Sequence, residues 1–293
     1  MQLASGLAAI AILAATLAPS EHWWLLELGQ KVGQPLGGEG VVVAVIDTGI
    51  DVTHPDLAST VIGGADFSRV GTPEGTTPVG SSGYHGTMVA SMIAGQGLES
   101  GGIIGVAPGA KLLSVSVGLG VESSDTDAQI AAAIIWSVDA GADVINLSLS
   151  RNSSSWPISW DNAFLYAFEN DVVVIAASGN DSDGNYRPAA PATIPGVISV
   201  TGLNKELEAT LLSGTTGLDV TLGAPGAGLF GSYPGNQIAG WSGSSAATPI
   251  VSGVVALMRA QDPEASANDI VFRLINTTRD LGSLGSMRFT ALV

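Results

Sequence analysis

Residues 41–46 read VVVAVI and run directly into Asp47-Thr48-Gly49. The run is continuously apolar and rich in β-branched side chains, whereas a strand with one face in water would alternate apolar and polar residues. Strands that are apolar on both faces are typical of parallel sheets, whose two faces are covered by helices. The stretch therefore predicts a strand of a buried parallel β-sheet.

Similar short apolar runs recur along the chain, and the segments between them are long enough for helices. The further predicted strands are residues 112–117, 144–149, 172–177 and 197–200, and the predicted helices include residues 87–94, 128–138 and 163–169. Strands that alternate with helices indicate βαβ winding. No internal repeat, low-complexity tract or linker interrupts residues 40–281, so we interpret them as one α/β domain.

The composition excludes several classes of protein. Hydrophobic residues make up 46% of the 293-residue chain and charged residues only 12%, which excludes intrinsic disorder and allows a large buried core. Ten lysines and arginines against 26 aspartates and glutamates give a net charge of −16, so no nucleic-acid partner is expected. Because the chain has no cysteine, it has no disulfide, thiolate nucleophile, cysteine-bound zinc or iron–sulfur cluster.

The first 39 residues divide into two segments. Residues 3–18 are small and apolar and carry no charge, as in a secretory signal, and they are fewer than the about 20 residues that span a bilayer. We predict a signal peptide or N-terminal anchor over residues 1–18, with a buried helix of the mature fold as the alternative. This segment implies a secreted or cell-surface protein that can associate with a membrane or cell envelope. Residues 19–39 form a short lead-in in which Trp23 and Trp24 are expected to dock against the domain of residues 40–293.

Polar residues follow three of the predicted strands at the point where each strand ends. Asp47 follows the first strand, Ser148 and Ser150 lie at the end of another, and Asn180 follows a third in the sequence AASGN. In doubly wound sheets, binding and catalytic sites form at the carboxyl ends of the strands. These side chains are therefore predicted to lie in one site.

Two further residues begin stretches that predict apolar helices, namely His85 in YHGT and Ser245 in GSSAATP. A serine hydroxyl is a good nucleophile only when a base removes its proton, a buried carboxylate orients that base, and hydrogen-bond donors stabilise the oxyanion. His85 can act as the base, Asp47 as the carboxylate that orients it, and Asn180 as a donor to the oxyanion. Pro249 is expected in the first turn of the helix, where its missing N–H costs nothing and the N–H of Ser245 is free to donate.

Three longer stretches resemble the motifs of the subtilisin-like serine proteases, or subtilases. Residues 43–57 (VAVIDTGIDVTHPDL) resemble the family's Asp motif, residues 85–95 (HGTMVASMIAG) its His motif, and residues 243–257 (GSSAATPIVSGVVAL) its Ser motif. The connecting stretches 104–112, 144–150 and 172–180 are also similar. The likeness covers roughly residues 23–281 in the family's order of Asp, His, Asn and Ser.

The resemblance implies a three-layer α/β/α subtilisin-like fold with a mainly parallel central sheet. It also implies a serine endopeptidase that forms an acyl-enzyme, with Asp47 as the orienting carboxylate, His85 as general base and then acid, and Ser245 as nucleophile. Asn180 would donate a hydrogen bond to the oxyanion. The chemistry requires neither a cofactor nor a metal, and the implied partners are polypeptide substrates.

The resemblance also implies a set of residues that bind substrate. They are Ser148, Leu149, Ser150, Ala177, Ser178 and Gly179. The first three would pair with the substrate backbone as an added β-strand, and the last three would line the primary specificity pocket. The opposite wall of the cleft is expected near residues 120–124. Since Ser150 stands where the family commonly has glycine, its side chain is expected to narrow the entrance of the pocket.

The two ends of the chain depart from the common family pattern. The Trp-rich lead-in resembles that of mycosin-type and other cell-surface subtilases, which pass directly into the catalytic fold. After residue 281 the family usually adds a Gly-x-Gly strand and an alanine-rich helix, whereas residues 283–293 (SLGSMRFTALV) are expected to end without either. Truncation at the C-terminus is therefore kept as an alternative. A non-catalytic subtilase-like module that binds peptides or supports a surface assembly is the alternative function.

Two places are candidates for a structural calcium ion. Residues 181–185 (DSDGN) alternate oxygen ligands but lack the spacing and closing glutamate of an EF-hand, so a solvated turn is the alternative. Asp56 lies where some subtilases hold calcium, and Gln96 and Glu99 are the nearby candidate ligands. The sequence leaves calcium binding open at both places.

Overall fold

The computed structural model describes most of the chain. The described residues are 12–13, 22–29, 37–97, 102–151, 153–180, 187–209, 215, 217, 219–284 and 287–291, with only the backbone described for 12–13 and from 282 onward. The helices are α1 Trp23–Glu27, α2 Tyr84–Ala94, α3 Thr126–Asp139, α4 Ser159–Glu169, α5 Ser244–Gln261 and α6 Ala267–Thr277. The strands are β1 Ile12–Leu13, β2 Val42–Asp47, β3 Val61–Asp66, β4 Lys111–Ser116, β5 Val144–Leu147, β6 Val173–Ala177, β7 Ile198–Leu203, β8 Leu222–Pro225, β9 Leu229–Tyr233, β10 Gln237–Trp241, β11 Arg279–Leu284 and β12 Met287–Ala291.

Nine of these strands form one central sheet in the order β11-β12-β8-β7-β6-β5-β2-β4-β3. The seven strands from β8 to β3 run parallel to their neighbours. The five strands predicted from the sequence, β2, β4, β5, β6 and β7, lie side by side in this sheet. The run VVVAVI therefore does form a strand of a buried parallel sheet, with β4 on one side and β5 on the other.

Helices cover both faces of the sheet because successive side chains of a strand point to opposite sides. Val43 and Val45 of β2 pack in a hydrophobic core with residues of α1, α2, α5 and α6. Ala44 and Ile46 of the same strand pack in a second core with α3 and α4. The fold is thus the three-layer α/β/α arrangement that the sequence predicts.

The C-terminal part of the sheet differs from the expectation. The sequence was expected to end without a further strand after residue 281, but β11 and β12 form an antiparallel hairpin at the edge of the sheet. Ala291 of β12 also pairs in parallel with Gly223 of β8. These short strands contain few β-branched residues, so their local pattern is weak, and pairing with an existing strand defines them.

The lead-in packs against the domain, as predicted. Trp23, Trp24 and Leu25 of α1 are buried in the core that contains α2 and α5, whereas Leu26 is exposed. This arrangement attaches residues 23–25 to the domain through apolar contacts.

A smaller antiparallel sheet contains β9 and β10. The two residues of β1 pair with Ala239 and Ile238 of β10. The rest of the predicted leader, residues 1–18, lies outside the described residues. Among the helices that the structure describes, none combines the length and the apolar character needed to cross a bilayer.

A buried arginine joins the end of α5 to the start of α6. Nη1 of Arg259 lies 3.1 Å from Oδ2 of Asp171, and Nη2 donates to the carbonyl of Asp171. The other carboxylate oxygen of Asp171 accepts from the N–H of Ala267, at the start of α6, at 2.7 Å. The Arg259 side chain is buried whereas the Asp171 side chain is about half exposed, so water can replace a lost partner at the Asp171 carboxylate but not at the guanidinium.

We expect Arg259→Met to lower the free energy of unfolding by about 1–3 kcal/mol, because methionine keeps the apolar stem but leaves the Asp171 carbonyl without its donor. Urea denaturation followed by circular dichroism measures the change. Arg273→Met is the matched control, since Arg273 pairs with Asp262 at 2.6 Å on an exposed face, where the expected change is within about 0.5 kcal/mol. Equal losses in the two variants would contradict a special role for the buried arginine.

Candidate active site

The carboxyl ends of three neighbouring strands meet at one edge of the sheet. Asp47, the last residue of β2, lies beside Ser116, the last residue of β4. On the other side, Val45 of β2 pairs with Asn146 of β5, so the chain leaves β5 near Ser148 at the level of Asp47. The segments that follow β4 and β5 therefore flank Asp47.

Asp47 and His85 are in contact, as the sequence analysis expected. His85 is the second residue of α2, and its Nδ1 lies 2.9 Å from both carboxylate oxygens of Asp47. Oδ1 of Asp47 also accepts from the N–H of Thr48 at 2.7 Å, and the Asp47 side chain is fully buried. Because a carboxylate only accepts hydrogen bonds, the neutral imidazole carries its proton on Nδ1, which leaves the lone pair on Nε2.

The loop after β2 also fixes the start of α2. The hydroxyl of Thr48 donates to the carbonyl of Gly83 at 3.0 Å and accepts from the N–H of Gly86 at 2.9 Å. A Cβ at position 86 would overlap with the carbonyl oxygen of Gly49. The glycine that follows His85 is therefore required by this close approach of two backbones.

Ser245 lies at the start of α5, where it contacts the segment after β5. Its hydroxyl donates to the carbonyl of Ser148 at 3.0 Å, and the hydroxyl of Ser148 donates to the carbonyl of Ser245 at 3.0 Å. The expectation that Pro249 lies in the first turn is wrong, since α5 begins at Ser244 and Pro249 lies in the second turn. Because Pro249 has no N–H, it cannot donate the helical hydrogen bond to the carbonyl of Ser245. The hydroxyl of Ser148 donates to that carbonyl instead.

Two buried polar residues that sequence reasoning missed continue this connection. Nδ2 of Asn146 donates to the hydroxyl of Ser148 at 3.0 Å, and the hydroxyl of Ser252 in α5 donates to Oδ1 of Asn146 at 2.9 Å. Both side chains are fully buried, where an unpaired polar group would be costly. This row of hydrogen bonds links β5 to α5 and fixes the position of Ser245. The only sequence signal is a polar residue inside an apolar strand and an apolar helix.

Asn180 lies where the loop after β6 approaches the start of α5. Its Oδ1 accepts from the N–H of Ser244 at 2.8 Å and from the hydroxyl of Ser244 at 3.0 Å. Its Nδ2 is buried and has no hydrogen-bond partner among the described residues. A Cβ at position 243 would come within 2.9 Å of that nitrogen. The two donors of Ser244 therefore orient the amide so that its NH₂ group faces the glycine before α5.

The residues predicted to bind substrate lie in two neighbouring segments. The predicted residues are Ser148, Leu149 and Ser150 after β5, and Ala177, Ser178 and Gly179 at the end of β6. The segments touch, since the hydroxyl of Ser150 lies 3.6 Å from the place that a Cβ of Gly179 would occupy. Sequence reasoning missed Thr215, whose hydroxyl donates to the carbonyl of Ser178 at 3.0 Å and whose N–H donates to the carbonyl of Gly179 at 2.9 Å.

A second carboxylate adds negative charge at this edge of the sheet. Asp66, the last residue of β3, accepts from the hydroxyl of Ser116 at 2.6 Å and from the N–H of Gly71 at 3.0 Å. Burial raises the pKa of Asp66, but the hydrogen bonds that it accepts, first those from Ser116 and Ser68, outweigh burial and hold the pKa below its ordinary value. Asp66 is therefore ionised at neutral pH.

The calcium predictions remain predictions. Residues 181–185 and Glu99 lie outside the described residues. Within the part that the structure describes, no group of three or more His, Cys, Asp or Glu side chains is placed to bind a metal ion. Oδ2 of Asp56 accepts from the N–H of Ile103 at 2.8 Å and from the hydroxyl of Ser232 at 3.1 Å.

His54 serves the structure of the same region. Its Nδ1 accepts from the N–H of Asp56 at 3.2 Å, and its Nε2 donates to the carbonyl of Gln237 at 3.1 Å. The buried ring thus connects the loop after β2 to β10. These contacts give His54 a structural role.

The chain is similar in sequence to known proteases. A family model described as the subtilase family matches residues 38–290. Thermitase of Thermoactinomyces vulgaris is 36% identical over 249 residues, which cover 85% of this chain and 85% of thermitase. Subtilisin Savinase of Lederbergia lenta is 39% identical over 248 residues, which cover 85% of this chain and 87% of Savinase. The likeness of the lead-in to mycosin-type members stays a prediction.

The fold is also similar to that of a solved structure. The crystal structure of fervidolysin from Fervidobacterium pennivorans, a keratinolytic enzyme related to subtilisin, matches with a TM-score of 0.75 at 32% identity. The match covers 90% of this chain and 43% of the fervidolysin chain, so this chain spans less than half the length of that relative. Family, sequence and fold agree over the same region, and the chain therefore belongs to the subtilase family and is a subtilisin-like serine-type peptidase.

Proposed function

We propose that the protein is a serine endopeptidase in which Ser245 attacks the peptide carbonyl, His85 transfers protons and Asp47 orients His85. The observation that carries this proposal is the 2.9 Å contact between Nδ1 of His85 and both oxygens of the buried Asp47. The start of α5, with Ser245, is tied to the strand beside Asp47. In such a triad the carboxylate selects the imidazole tautomer and stabilises the imidazolium.

Acylation begins when the Ser245 hydroxyl turns from the carbonyl of Ser148 to Nε2 of His85. Nε2 accepts the hydroxyl proton while Oγ forms a bond to the carbonyl carbon of the scissile peptide. The π electrons of the carbonyl move onto its oxygen and give a tetrahedral intermediate with a negative charge. The imidazolium that forms is stabilised by the buried carboxylate of Asp47.

Two donors stabilise the oxyanion in this proposal. One is Nδ2 of Asn180, which is buried and faces the start of α5. The other is the N–H of Ser245, which has no intrahelical acceptor because Ser245 is the second residue of its helix. Donors that are already oriented need no rearrangement when the charge develops, so they favour the transition state over the substrate.

The remaining steps return the enzyme to its starting state. His85 gives its proton to the amine nitrogen as the C–N bond breaks and the carbonyl re-forms. The amine product then departs, and the acyl group remains bound to Ser245 as an ester. His85 then removes a proton from water as the water oxygen bonds to the ester carbon. When the C–O bond to Ser245 breaks, the proton of His85 moves to Oγ and the carboxylic acid product is released.

We propose polypeptides as the substrates. The segment of residues 148–150 lies at the sheet edge beside Asp47, where an extended peptide can pair with its backbone, and backbone pairing accepts many sequences. The hydroxyl of Ser150 lies over Gly179, which supports a narrow entrance to the primary pocket. Small and medium side chains before the scissile bond are therefore the expected preference.

We also propose that the protein is exported and acts outside the cell or at its surface. The support is the uncharged apolar run of residues 3–18, which precedes the family match at residues 38–290. Retention of this segment would give an association with the membrane or cell envelope. The net charge of −16 supports the absence of a nucleic-acid partner.

Replacement of the nucleophile gives the first prediction. Ser245→Ala removes the attacking oxygen, so we expect kcat for denatured casein to fall by roughly 10⁶-fold and labelling by a fluorophosphonate to be lost. Ser242→Ala is the matched control, since the Ser242 hydroxyl accepts a hydrogen bond from the N–H of Gly228 at 2.8 Å and has no role in the proposed chemistry. Normal turnover by the Ser245 variant would contradict the assignment. A folded wild-type protein that neither cleaves nor labels would favour the non-catalytic module instead.

Asn180→Ala tests the oxyanion donor. We expect kcat to fall by about 10²–10³-fold with little change in KM, because the donor acts on charge that develops only in the transition state. Steady-state kinetics on a chromogenic peptide measures both constants. Asn276→Ala on the exposed face of α6 removes an amide of the same kind, which donates to the carbonyl of Phe272, and should leave both constants unchanged. A loss confined to KM in the Asn180 variant would argue for a substrate-binding role instead.

Mass-spectrometric sequencing of the exported protein tests the leader. A cleaved signal should give a mature N-terminus at Pro19, whereas a retained anchor should give Met1 and place the protein in the membrane fraction. Deletion of residues 3–18 should keep the protein inside the cell in either case. Normal export of the deletion variant would contradict an export role for this segment.

A further inference from the structure

The geometry points to Gln129 of α3 as a positioning residue that holds one wall of the substrate cleft in shape. Gln129 forms hydrogen bonds to both ends of the loop of residues 118–124, which we call the cleft loop. This inference rests on the proposed protease function, because the cleft loop corresponds to the wall expected near residues 120–124. Gln129 itself touches neither the nucleophile nor the other groups that take part in the chemistry.

The cleft loop begins beside the proposed catalytic residues. The N–H of Val117, directly after β4, donates to the carbonyl of Asp47 at 2.8 Å. Further along, the carbonyl of Leu119 lies so close to Gly80 that a Cβ at position 80 would overlap with it. Residue 80 lies five positions before His85. The loop is therefore packed against the segment that leads into α2.

The strand order places the cleft loop across from the segment of residues 148–150. The cleft loop follows β4 and residues 148–150 follow β5, and these two strands lie on opposite sides of β2. An extended peptide that lies across the end of β2 would have one segment on each side. The shape of the cleft loop therefore decides how well a peptide of several residues fits, whereas a ligand confined to the primary pocket does not reach it.

Gln129 closes the cleft loop at its two ends. Its Oε1 accepts from the N–H of Gly118 at 2.7 Å, and its Nε2 donates to the hydroxyl of Ser124 at 2.8 Å. Two backbone hydrogen bonds inside the loop are longer, from Val121 to the carbonyl of Gly118 at 3.3 Å and from Ser124 to the carbonyl of Val121 at 3.4 Å. The side-chain amide thus supplies short hydrogen bonds that hold the loop closed.

The chemistry of the two partners decides which side chains can replace Gln129. The N–H of Gly118 requires an acceptor, while a serine hydroxyl can either accept or donate. Glutamate at position 129 can accept from both groups and keep both hydrogen bonds. Methionine has a similar length and helix propensity but can make neither bond of useful strength.

The experiment compares wild-type protein, Gln129→Met and Gln129→Glu on two substrates. One is a peptide with at least four residues before the scissile bond, and the other is an N-acetyl amino-acid ethyl ester that reaches only the primary pocket. For Gln129→Met we expect KM for the peptide to rise about tenfold with kcat changed by less than about twofold, because binding is lost equally in the ground and transition states. The values of kcat and KM for the ester should not change in Gln129→Met. In Gln129→Glu, KM for the peptide should lie within about twofold of the wild-type value.

A matched control separates this role from a general loss of stability. Asn170→Leu removes an exposed amide that donates to the carbonyl of Tyr166 at 2.8 Å, and it should leave KM for the peptide unchanged. The inference would be overturned if Gln129→Met impaired kcat or KM equally for the peptide and the ester. It would also be overturned if KM for the peptide did not change. Wild-type protein that cleaves neither substrate would instead contradict the proposed function itself.

Absence of a thermal unfolding transition would show that Gln129→Met does not fold. A second variant tests the inference in that case. Ser124→Ala removes the hydroxyl that accepts the hydrogen bond from Nε2 of Gln129. We expect it to raise KM for the peptide about threefold and to leave the ester constants unchanged. A peptide KM equal to that of wild type in this variant would overturn the inference.

Discussion

The parallel register of β2 with β4 and β5 places three strand ends at the same edge of the sheet. Asp47 lies beside Ser116 on one side, and Val45 pairs with Asn146 on the other. Because parallel strands share a direction, the segments that follow them all leave the sheet at this edge. The contact of Asp47 with His85, the contact of Ser148 with Ser245 and the two expected walls of the substrate cleft all follow from this arrangement.

The register of the strands does not by itself position Ser245, and a buried row of hydrogen bonds is also needed. Ser252, Asn146 and Ser148 connect α5 to β5 through side chains that are fully buried. Pro249 leaves the carbonyl of Ser245 without a helical donor, and the hydroxyl of Ser148 supplies one. Each polar group of the row has a partner, so the helix has one well-defined position relative to the strand.

Sequence patterns predicted the five central strands and the four helices α2, α3, α4 and α5, because these elements carry continuous apolar runs. They missed β3, the strands from β8 onward and α6. The glycines of β3 and the short strands near the C-terminus give little local signal, and pairing with neighbours defines them. α6 begins at a capping box formed by Ser266 and Asp269, and this pair is a sequence signal from which the start of the helix can be predicted. The position of Pro249 in α5 was wrong by one turn.

The sequence by itself determined the class of fold and the residue types of the candidate site. The run VVVAVI predicted a sheet buried on both faces, and Asp47, His85, Asn180 and Ser245 supplied a carboxylate, an imidazole, an amide and a hydroxyl for the candidate site. Only the tertiary structure decided which of these groups meet. His85 is 38 residues from Asp47, and Ser148 is 97 residues from Ser245. Such contacts arise from strand register and helix packing between distant segments, so the local patterns of a sequence cannot specify them, and the same holds for the clamp that Gln129 makes on the cleft loop.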